Sequence, residues 1–294
     1  GVRQRADLRR KGSRPDVLVM TATPIPRSLA LVLYGDLDLS VIDQLPPGRQ
    51  PVSTFWLQEE DRRRIETELE TRLSRGGRAF VVCPVVEESA TEVKAAVQTA
   101  DVYRRGPLGV FGVGLVHGRL ASAEKTATIT AFREGKIRLL VATTVVEVGV
   151  DVPEATAIVI EDADRLGLAQ LHQLRGRVGR ADLPGVCFLL ANREEIGGDA
   201  RARLEALTHE QDGFALAEAD LRLRGPGEFF GTRQSGLDAF RLGDLASDLR
   251  LLEMARAEAL ATLAESPALD GVWTKARAAM SERWGSHLGL AQVG

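Results

Sequence analysis

Short apolar runs rich in β-branched residues recur along this sequence and alternate with stretches of helical spacing. Nearly continuous apolar runs are typical of strands that are buried on both faces of a parallel sheet. Their alternation with helices predicts an α/β fold, a doubly wound parallel sheet with helices on both faces and right-handed crossovers. The predicted strands are 17–20, 79–86, 110–116, 139–142, 157–161 and 186–191, and the predicted helices between them include 61–74, 88–100 and 122–134.

Composition narrows the class of protein only a little. The 294 residues are 44% hydrophobic without a long apolar run, which predicts a globular protein with no membrane span. No apolar signal core follows Gly1, so we expect a cytoplasmic location. The two cysteines, Cys83 and Cys187, lie in strand-like runs and are predicted to be buried thiols, with no metal site.

The charge balance argues against a protein that coats nucleic acid without specificity. The 38 Lys and Arg residues are outnumbered by 41 Asp and Glu residues, for a net charge of −3. Basic residues are concentrated locally, above all in residues 1–14, which either contact phosphates or form an exposed helix beside the terminus.

Polar residues follow one of the predicted strands directly. The apolar run 139–142 leads into Thr143 and Thr144, and then into Gly149 and Asp151. In open parallel sheets, ligands bind beyond the carboxyl ends of the strands. The sequence therefore predicts that these residues face a nucleotide or a nucleic acid, although Asp151 could instead cap the next turn.

Residues 173–180 have the pattern Gln-x-x-Gly-Arg-x-Gly-Arg. Arg177 and Arg180 are three apart, and we expect them to open a helix and to lie on one face of it. Gly176 and Gly179 leave room for another backbone or a phosphate, and planar guanidinium groups suit the charge of a transferring phosphoryl group. A solvated basic helix start is the alternative.

Several of these segments resemble the motifs of known DNA motors. VATTVVEVGVDVP and QLHQLRGRVGR resemble the fifth and sixth motifs of superfamily-two helicases, and within them the RecG family of branched-DNA helicases. Residues 20–31, MTATPIPRSLAL, resemble that family's third motif, and residues 219–237, ADLRLRGPGEFFGTRQSGL, resemble its translocation motif. The resemblance extends to about residue 240, and the related transcription-repair coupling translocase is the alternative within the class.

The resemblance implies roles for individual residues. It implies a catalytic role for Gln173 and the arginine fingers Arg177 and Arg180, and nucleotide contacts from these two arginines together with Gly149 and Asp151. It implies DNA contacts from Thr143, Thr144, His117 and Arg119, and coupling of the nucleotide state to movement by Thr21, Thr23, Arg222, Arg224, Arg233 and Gln234. His117 could equally be structural, and Arg222 and Arg224 could be solvated cations at a helix end.

The chain is predicted to divide into three parts. Pro46-Pro47-Gly48-Arg49 marks a break, because it cannot continue a helix or a central strand. Residues 1–52 are expected to be the last slice of a first RecA-like domain, and residues 53–193 a second RecA-like domain. Residues 194–294 are expected to form a helical hairpin with helices 199–210 and 214–224, a glycine-rich translocation loop and C-terminal helices.

The sequence has no Gly-x-x-x-x-Gly-Lys-Ser/Thr phosphate cradle and no Asp-Glu pair ready to hold magnesium. The chain therefore resembles the C-terminal part of the family and is predicted not to hydrolyse ATP by itself. The resemblance implies that the intact bacterial protein uses ATP and Mg²⁺ to translocate on double-stranded DNA and to remodel forks and Holliday junctions in recombination and repair. Single-stranded-DNA-binding protein is a candidate partner, and a non-catalytic DNA-binding or scaffolding module is the alternative from another class.

Overall fold

The fold was determined as a computed structural model that describes residues 18, 20–21, 40–42, 44, 50–84, 90–144, 152–180, 184–224 and 248–291. Its strands are β1 (Ser53–Leu57), β2 (Arg78–Cys83), β3 (Val113–Val116), β4 (Leu139–Thr143), β5 (Ala155–Ile160) and β6 (Val186–Leu190). Its α-helices are α1 (Arg62–Ser74), α2 (Ala90–Arg105), α3 (Ser122–Arg133), α4 (Leu168–Arg175), α5 (Gly198–His209), α6 (Gly213–Arg224), α7 (Leu249–Glu265) and α8 (Thr274–Ala291).

The six strands form one parallel sheet in the order β1-β6-β5-β2-β4-β3. The strands in the middle of this order are buried on both faces, since every residue of β2, β4 and β5 is buried. One apolar layer joins the sheet to α1 and α2, and the other joins it to α3, α4, α5 and α6. The predicted doubly wound α/β sheet is confirmed. Its nearly continuous apolar runs are strands that helices cover on both faces, as the sequence predicted.

Two local predictions from the sequence are confirmed, the end of α3 and the burial of the cysteines. Gly135 ends α3 with a φ of 75°, and its amide donates to the Phe132 carbonyl, as a glycine C-cap should. Both cysteines are buried and free. Burial raises the pKa of the Cys83 thiol and of the Cys187 thiol to about 12, so both stay protonated and neutral.

Two of the predicted strands and one observed strand do not correspond between sequence and structure. The strand predicted over 110–116 is wrong in its first half, because a 3-10 helix covers Pro107–Phe111 and the chain turns at Gly112, with a φ of 75°, before β3 begins. The edge strand β1 was not predicted at all. In the predicted strand 17–20, residues 17 and 19 lie outside the described residues.

The described chain divides into two compact units. One comprises residues 43–223 and contains the sheet, and the other comprises residues 1–42 and 224–294. In the first unit, Leu204, Leu207 and Leu216 of α5 and α6 belong to the core of the sheet. The three-part division at residues 52 and 193 stays a prediction.

The second unit contains α7 and α8, which are joined by a 3-10 helix over Gly271–Trp273. Arg277 of α8 donates to the Ala268 carbonyl at 3.0 Å and pairs with Asp270 at 3.1 Å, which holds this connection in place. Among the helices that the structure describes, none is both long and apolar enough to cross a membrane.

Candidate functional site

The carboxyl edge of the sheet brings two of the predicted DNA-binding residues side by side. Val116 pairs with Ala142 across β3 and β4, His117 follows β3 directly, and Thr143 ends β4. Since both strands run parallel, His117 and Thr143 are neighbours at this edge. Both are buried, at 9% and 2% exposure, and Thr144 follows at the surface of the edge, partly exposed.

His117 lies in a turn that α3 holds in place. The Leu120 amide donates to the His117 carbonyl at 3.2 Å, and Lys125 of α3 donates to the Gly118 carbonyl at 2.5 Å. The Nδ1 atom of His117 is buried without a hydrogen-bond partner among the described residues. Arg119, in the same turn, is exposed. The turn thus places an exposed cation beside a buried imidazole whose Nδ1 finds no partner in the described part of the chain.

An ion-pair network fixes the exit of β5 at the same edge. Arg62, at the start of α1, contacts Glu161 with two nitrogens at 3.0 and 2.8 Å and also pairs with Glu59. Its hydrogen bonds to Glu161 and Glu59 raise the pKa of Arg62 further above its ordinary value, so it is a permanent cation. Burial raises the pKa of the adjacent Tyr103 hydroxyl, which stays protonated. The network ties the ends of β1 and β5 together.

The predicted arginine fingers do not lie on a helix. Helix α4 ends at Arg175, and Arg177 and Arg180 lie in the turn that follows it. The expectation that they open a helix and share one of its faces is wrong. Gln173 does lie on α4, where it is partly buried, and Arg180 is exposed with its Nε donating to the Gly176 carbonyl at 3.0 Å.

Gly179 allows the chain to make this turn. Its φ is 70°, and a Cβ at this position would lie 3.0 Å from the Val52 side chain. A Cβ on Gly185 would lie 2.9 Å from the Gly179 nitrogen, so the two backbones are in contact. The prediction that the glycines of this motif leave room for another backbone is confirmed at Gly179.

The same turn separates the arginines from the predicted DNA-binding residues. The Gly179 amide donates to the carbonyl of Ala155, the first residue of β5, at 3.3 Å. Gly179 therefore lies by the amino ends of the strands, whereas His117 and Thr143 lie at their carboxyl ends. The structure does not bring these two groups of residues together.

Sequence reasoning missed Arg175, the last residue of α4. This buried arginine donates to the carbonyls of Leu207, Glu210 and Gln211 at 2.9, 2.7 and 3.4 Å. It thereby satisfies carbonyls at the end of α5 and in the connection to α6. A third arginine next to Gly176 was visible in the sequence, but nothing there identified its partners.

The remaining candidates are at the surface or beyond the described residues. Arg222 and Arg224 are exposed on the last turn of α6, and Thr21 is exposed. Thr23, Gly149, Asp151, Arg233 and Gln234 lie outside the described residues. Within the described part of the chain, no group of three or more His, Cys, Asp or Glu side chains could hold a metal ion.

Two family models match the chain. The helicase conserved C-terminal domain matches residues 61–182, and the C-terminal part of domain 3 of the ATP-dependent DNA helicase RecG matches residues 210–276. The first covers most of the sheet together with the segment of Arg177 and Arg180. The second covers α6, α7 and the first residues of α8.

Curated relatives and a solved structure agree with these models. The chain is 50% identical over 92% of its length to the ATP-dependent DNA helicase RecG of Synechocystis sp., and 47% identical over 93% to that of Bacillus subtilis. The chain spans 32% and 39% of the lengths of these two relatives. A structure of RecG bound to a three-way DNA junction is similar at a TM-score of 0.65 and 46% identity, over 83% of this chain and 31% of that one.

The two family models match residues of the sheet and of the helices that follow it. Over most of these residues the chain is 46% to 50% identical to curated RecG relatives. The chain therefore belongs to the RecG family of ATP-dependent DNA helicases.

Proposed function

We propose that this chain supplies the second RecA-like domain and the coupling segment of an ATP-dependent translocase that moves on double-stranded DNA and remodels forks and Holliday junctions in recombination and repair. The observation that carries the proposal is the connection made by Arg175. It lies two residues before Arg177 and bonds to the connection between α5 and α6, which leads into the segment that resembles the translocation motif.

Arg177 and Arg180, with Gln173, are proposed to act on the nucleotide. ATP with Mg²⁺ would supply the phosphoryl group and the metal charge when bound by a phosphate cradle outside this sequence. The two guanidinium groups would then stabilise the charge on the equatorial oxygens, and Gln173 would orient the segment. Gly149 and Asp151 are proposed to approach the nucleotide from the loop after β4. The turn at Gly179 supports this assignment, because a positive φ next to a backbone contact holds the arginines in a defined position.

His117, Arg119, Thr143 and Thr144 are proposed to contact the DNA backbone. The hydroxyls and the exposed cation are donors suited to phosphate oxygens, and such contacts set register without reading sequence. Branched DNA is the proposed substrate because a relative's structure holds a three-way junction. We also propose that single-stranded-DNA-binding protein is a partner and that the protein is located in the bacterial cytoplasm.

The nucleotide assignment is tested in a chimera that joins this chain to the part of the Bacillus subtilis relative that it does not cover. Changing Arg177 or Arg180 to Ala should lower ATP turnover on the order of 10²-fold, with a smaller effect on DNA binding. Arg180→Lys should rescue poorly, because an ammonium lacks the planar fork. Nearly full ATPase activity in Arg180→Lys would refute the assignment.

The coupling assignment includes Thr21, Thr23, Arg222, Arg224, Arg233 and Gln234. In the same chimera, Arg233→Ala or Gln234→Ala should leave DNA-stimulated ATP hydrolysis largely intact while fork unwinding falls steeply. A lever needs polar contacts that are made in one nucleotide state and broken in the other. Parallel loss of both activities would point to a folding or nucleotide-site defect, and intact unwinding would make the loop a linker.

A further inference from the structure

Two exposed guanidinium groups converge on one buried indole ring. The Cζ atoms of Arg193 and Arg201 lie 4.9 and 5.8 Å from the centroid of the Trp56 ring. Trp56 is 8% exposed, and its Nε1 donates to the Ala191 carbonyl at 3.0 Å. The ring is therefore held in place, and both guanidinium groups form cation–π contacts with it.

Backbone carbonyls fix the same two side chains. Arg193 donates from Nη2 to the Trp56 carbonyl at 3.1 Å, and Arg201 donates from Nη2 to the Arg193 carbonyl at 2.7 Å. The Arg193 amide also donates to Oε1 of Gln58 at 3.4 Å. Since a guanidinium group has five N–H donors, most of the donors of each group remain available for a ligand.

Among the described residues, no carboxylate neutralises these two cations. Neither guanidinium group is within ion-pair distance of an acid in the described chain, although Glu194, Glu195 and Asp199 are close in sequence and exposed. By contrast, Arg62, Arg72, Arg78 and Arg104 all form ion pairs. An arginine that binds an anion has to keep its charge available, as Arg193 and Arg201 do.

We propose that Arg193 and Arg201 form a binding site for phosphates of a nucleic-acid backbone. This rests on the proposed function, because it adds DNA contacts to the same domain. Arg193 follows β6 at the carboxyl edge, where His117 and Thr143 lie at the ends of β3 and β4. With neighbouring strands about 4.8 Å apart, the ends of β6 and β3 are roughly 19 Å apart, which is the rise of about six nucleotides along one strand.

Because Glu194, Glu195 and Asp199 are nearby, DNA binding at this site depends on its geometry more than on its net charge. They oppose a general attraction of DNA to this segment, so binding there depends on donors held in fixed positions. An ammonium on a flexible stem would restore the charge but neither the stacking on Trp56 nor the planar fork.

The test measures the affinity of the full 294-residue chain for a short fluorescent DNA duplex over a series of salt concentrations. The double variant Arg193→Gln with Arg201→Gln should lower the slope of log affinity against log salt by about 2, because each phosphate contact contributes about 0.9. The matched control is Arg63→Gln with Arg75→Gln, which removes the same charge from two exposed arginines of α1 and its C-terminal end. The control should leave the slope unchanged.

Each other outcome is decisive. An unchanged slope in the double variant, or an equal change in the control, overturns the site while the proposed DNA-binding function stands. Failure of the unaltered chain to bind duplex at low salt overturns both. A lower melting temperature with an unchanged slope shows that the two arginines only anchor Trp56. Full recovery of affinity by Arg193→Lys with Arg201→Lys, or competition by inorganic phosphate at constant ionic strength, overturns a fixed site for backbone phosphates.

Discussion

Arg175 is a buried cation whose partners lie 32 to 36 residues further along the chain. A buried arginine is tolerated only where its donors are satisfied, and here backbone carbonyls satisfy them. Cys83 and Cys187 are the corresponding neutral case, since burial keeps both thiols protonated. At the scale of single residues, the hydrogen-bond partners that a buried group finds therefore decide whether it can carry charge in the core.

Replacing Arg175 with Ala should lower the free energy of unfolding by about 3 kcal/mol, because the carbonyls of Leu207 and Glu210 would lose a buried charged donor. Urea unfolding monitored by circular dichroism measures the change. Arg180→Ala is the matched control, and the loss of this exposed side chain should change stability by less than about 0.5 kcal/mol. Equal effects in the two variants would contradict the role of Arg175.

The cysteines predict a loss of stability at alkaline pH. Their pKa values rise from an ordinary value of 9.0 to about 12 in the folded chain. The unfolded chain therefore releases these protons first, so the contribution is complete below pH 9 and is lost as the pH rises toward 12. Each thiol should contribute about 1 kcal/mol or more to the difference between unfolding at pH 8 and at pH 10.5. Cys83→Ala with Cys187→Ala should make that difference smaller, and an unchanged difference would exclude the thiols as its cause.

At the scale of elements, the turn after α4 connects three parts of the sheet. Gly179 bonds to the first residue of β5, contacts the backbone of Gly185 before β6 and lies against Val52 before β1. The position of Arg177 and Arg180 thus depends on how the amino ends of three strands pack.

Gly179→Ala should destabilise the chain by about 1 to 3 kcal/mol, because it combines a positive φ with a Cβ 3.0 Å from the Val52 side chain. Gly198→Ala is the control, since a Cβ on this first residue of α5 meets no atom within 4 Å. Alanine there should be neutral or slightly stabilising. Thermal melting compares the two variants, and similar losses in both would show that the turn does not require glycine.

At the scale of the whole molecule, two compact units contain the described residues, and the sheet unit includes α5 and most of α6. The helices that lead into the segment resembling the translocation motif therefore share a core with the sheet, through Leu204, Leu207 and Leu216. Any displacement of α5 or α6 has to break that apolar contact, and a displacement of α5 also has to break the hydrogen bond from Arg175 to Leu207.

The 294-residue chain by itself should show no DNA-stimulated ATP hydrolysis, because its sequence has no phosphate cradle. A coupled-enzyme assay of the purified chain, with and without duplex DNA, measures this. Turnover near 1 s⁻¹, at the lower end of the ordinary enzyme range of about 1 to 10³ s⁻¹, would contradict the prediction.

The sequence by itself determined the parallel α/β sheet, most of its helices, the C-cap at Gly135 and the burial of both cysteines. These features follow from periodicity, apolar composition and single-residue backbone preferences, all of which are local. The sequence also predicted that Arg177 and Arg180 approach a phosphate, and this assignment stays a prediction.

Only the tertiary structure decided where those residues lie. The edge strand β1 pairs Ser53 with Val186, the turn at Gly179 is set by Ala155 and Gly185, and Arg175 finds its partners on α5 and beyond. Each of these contacts joins residues that are distant in sequence or depends on the packing of several strands. The local spacing of residues cannot predict such contacts. For this reason the helix expected at Arg177 is a turn in the structure. For the same reason the cluster of Trp56, Arg193 and Arg201 was visible only in the folded chain.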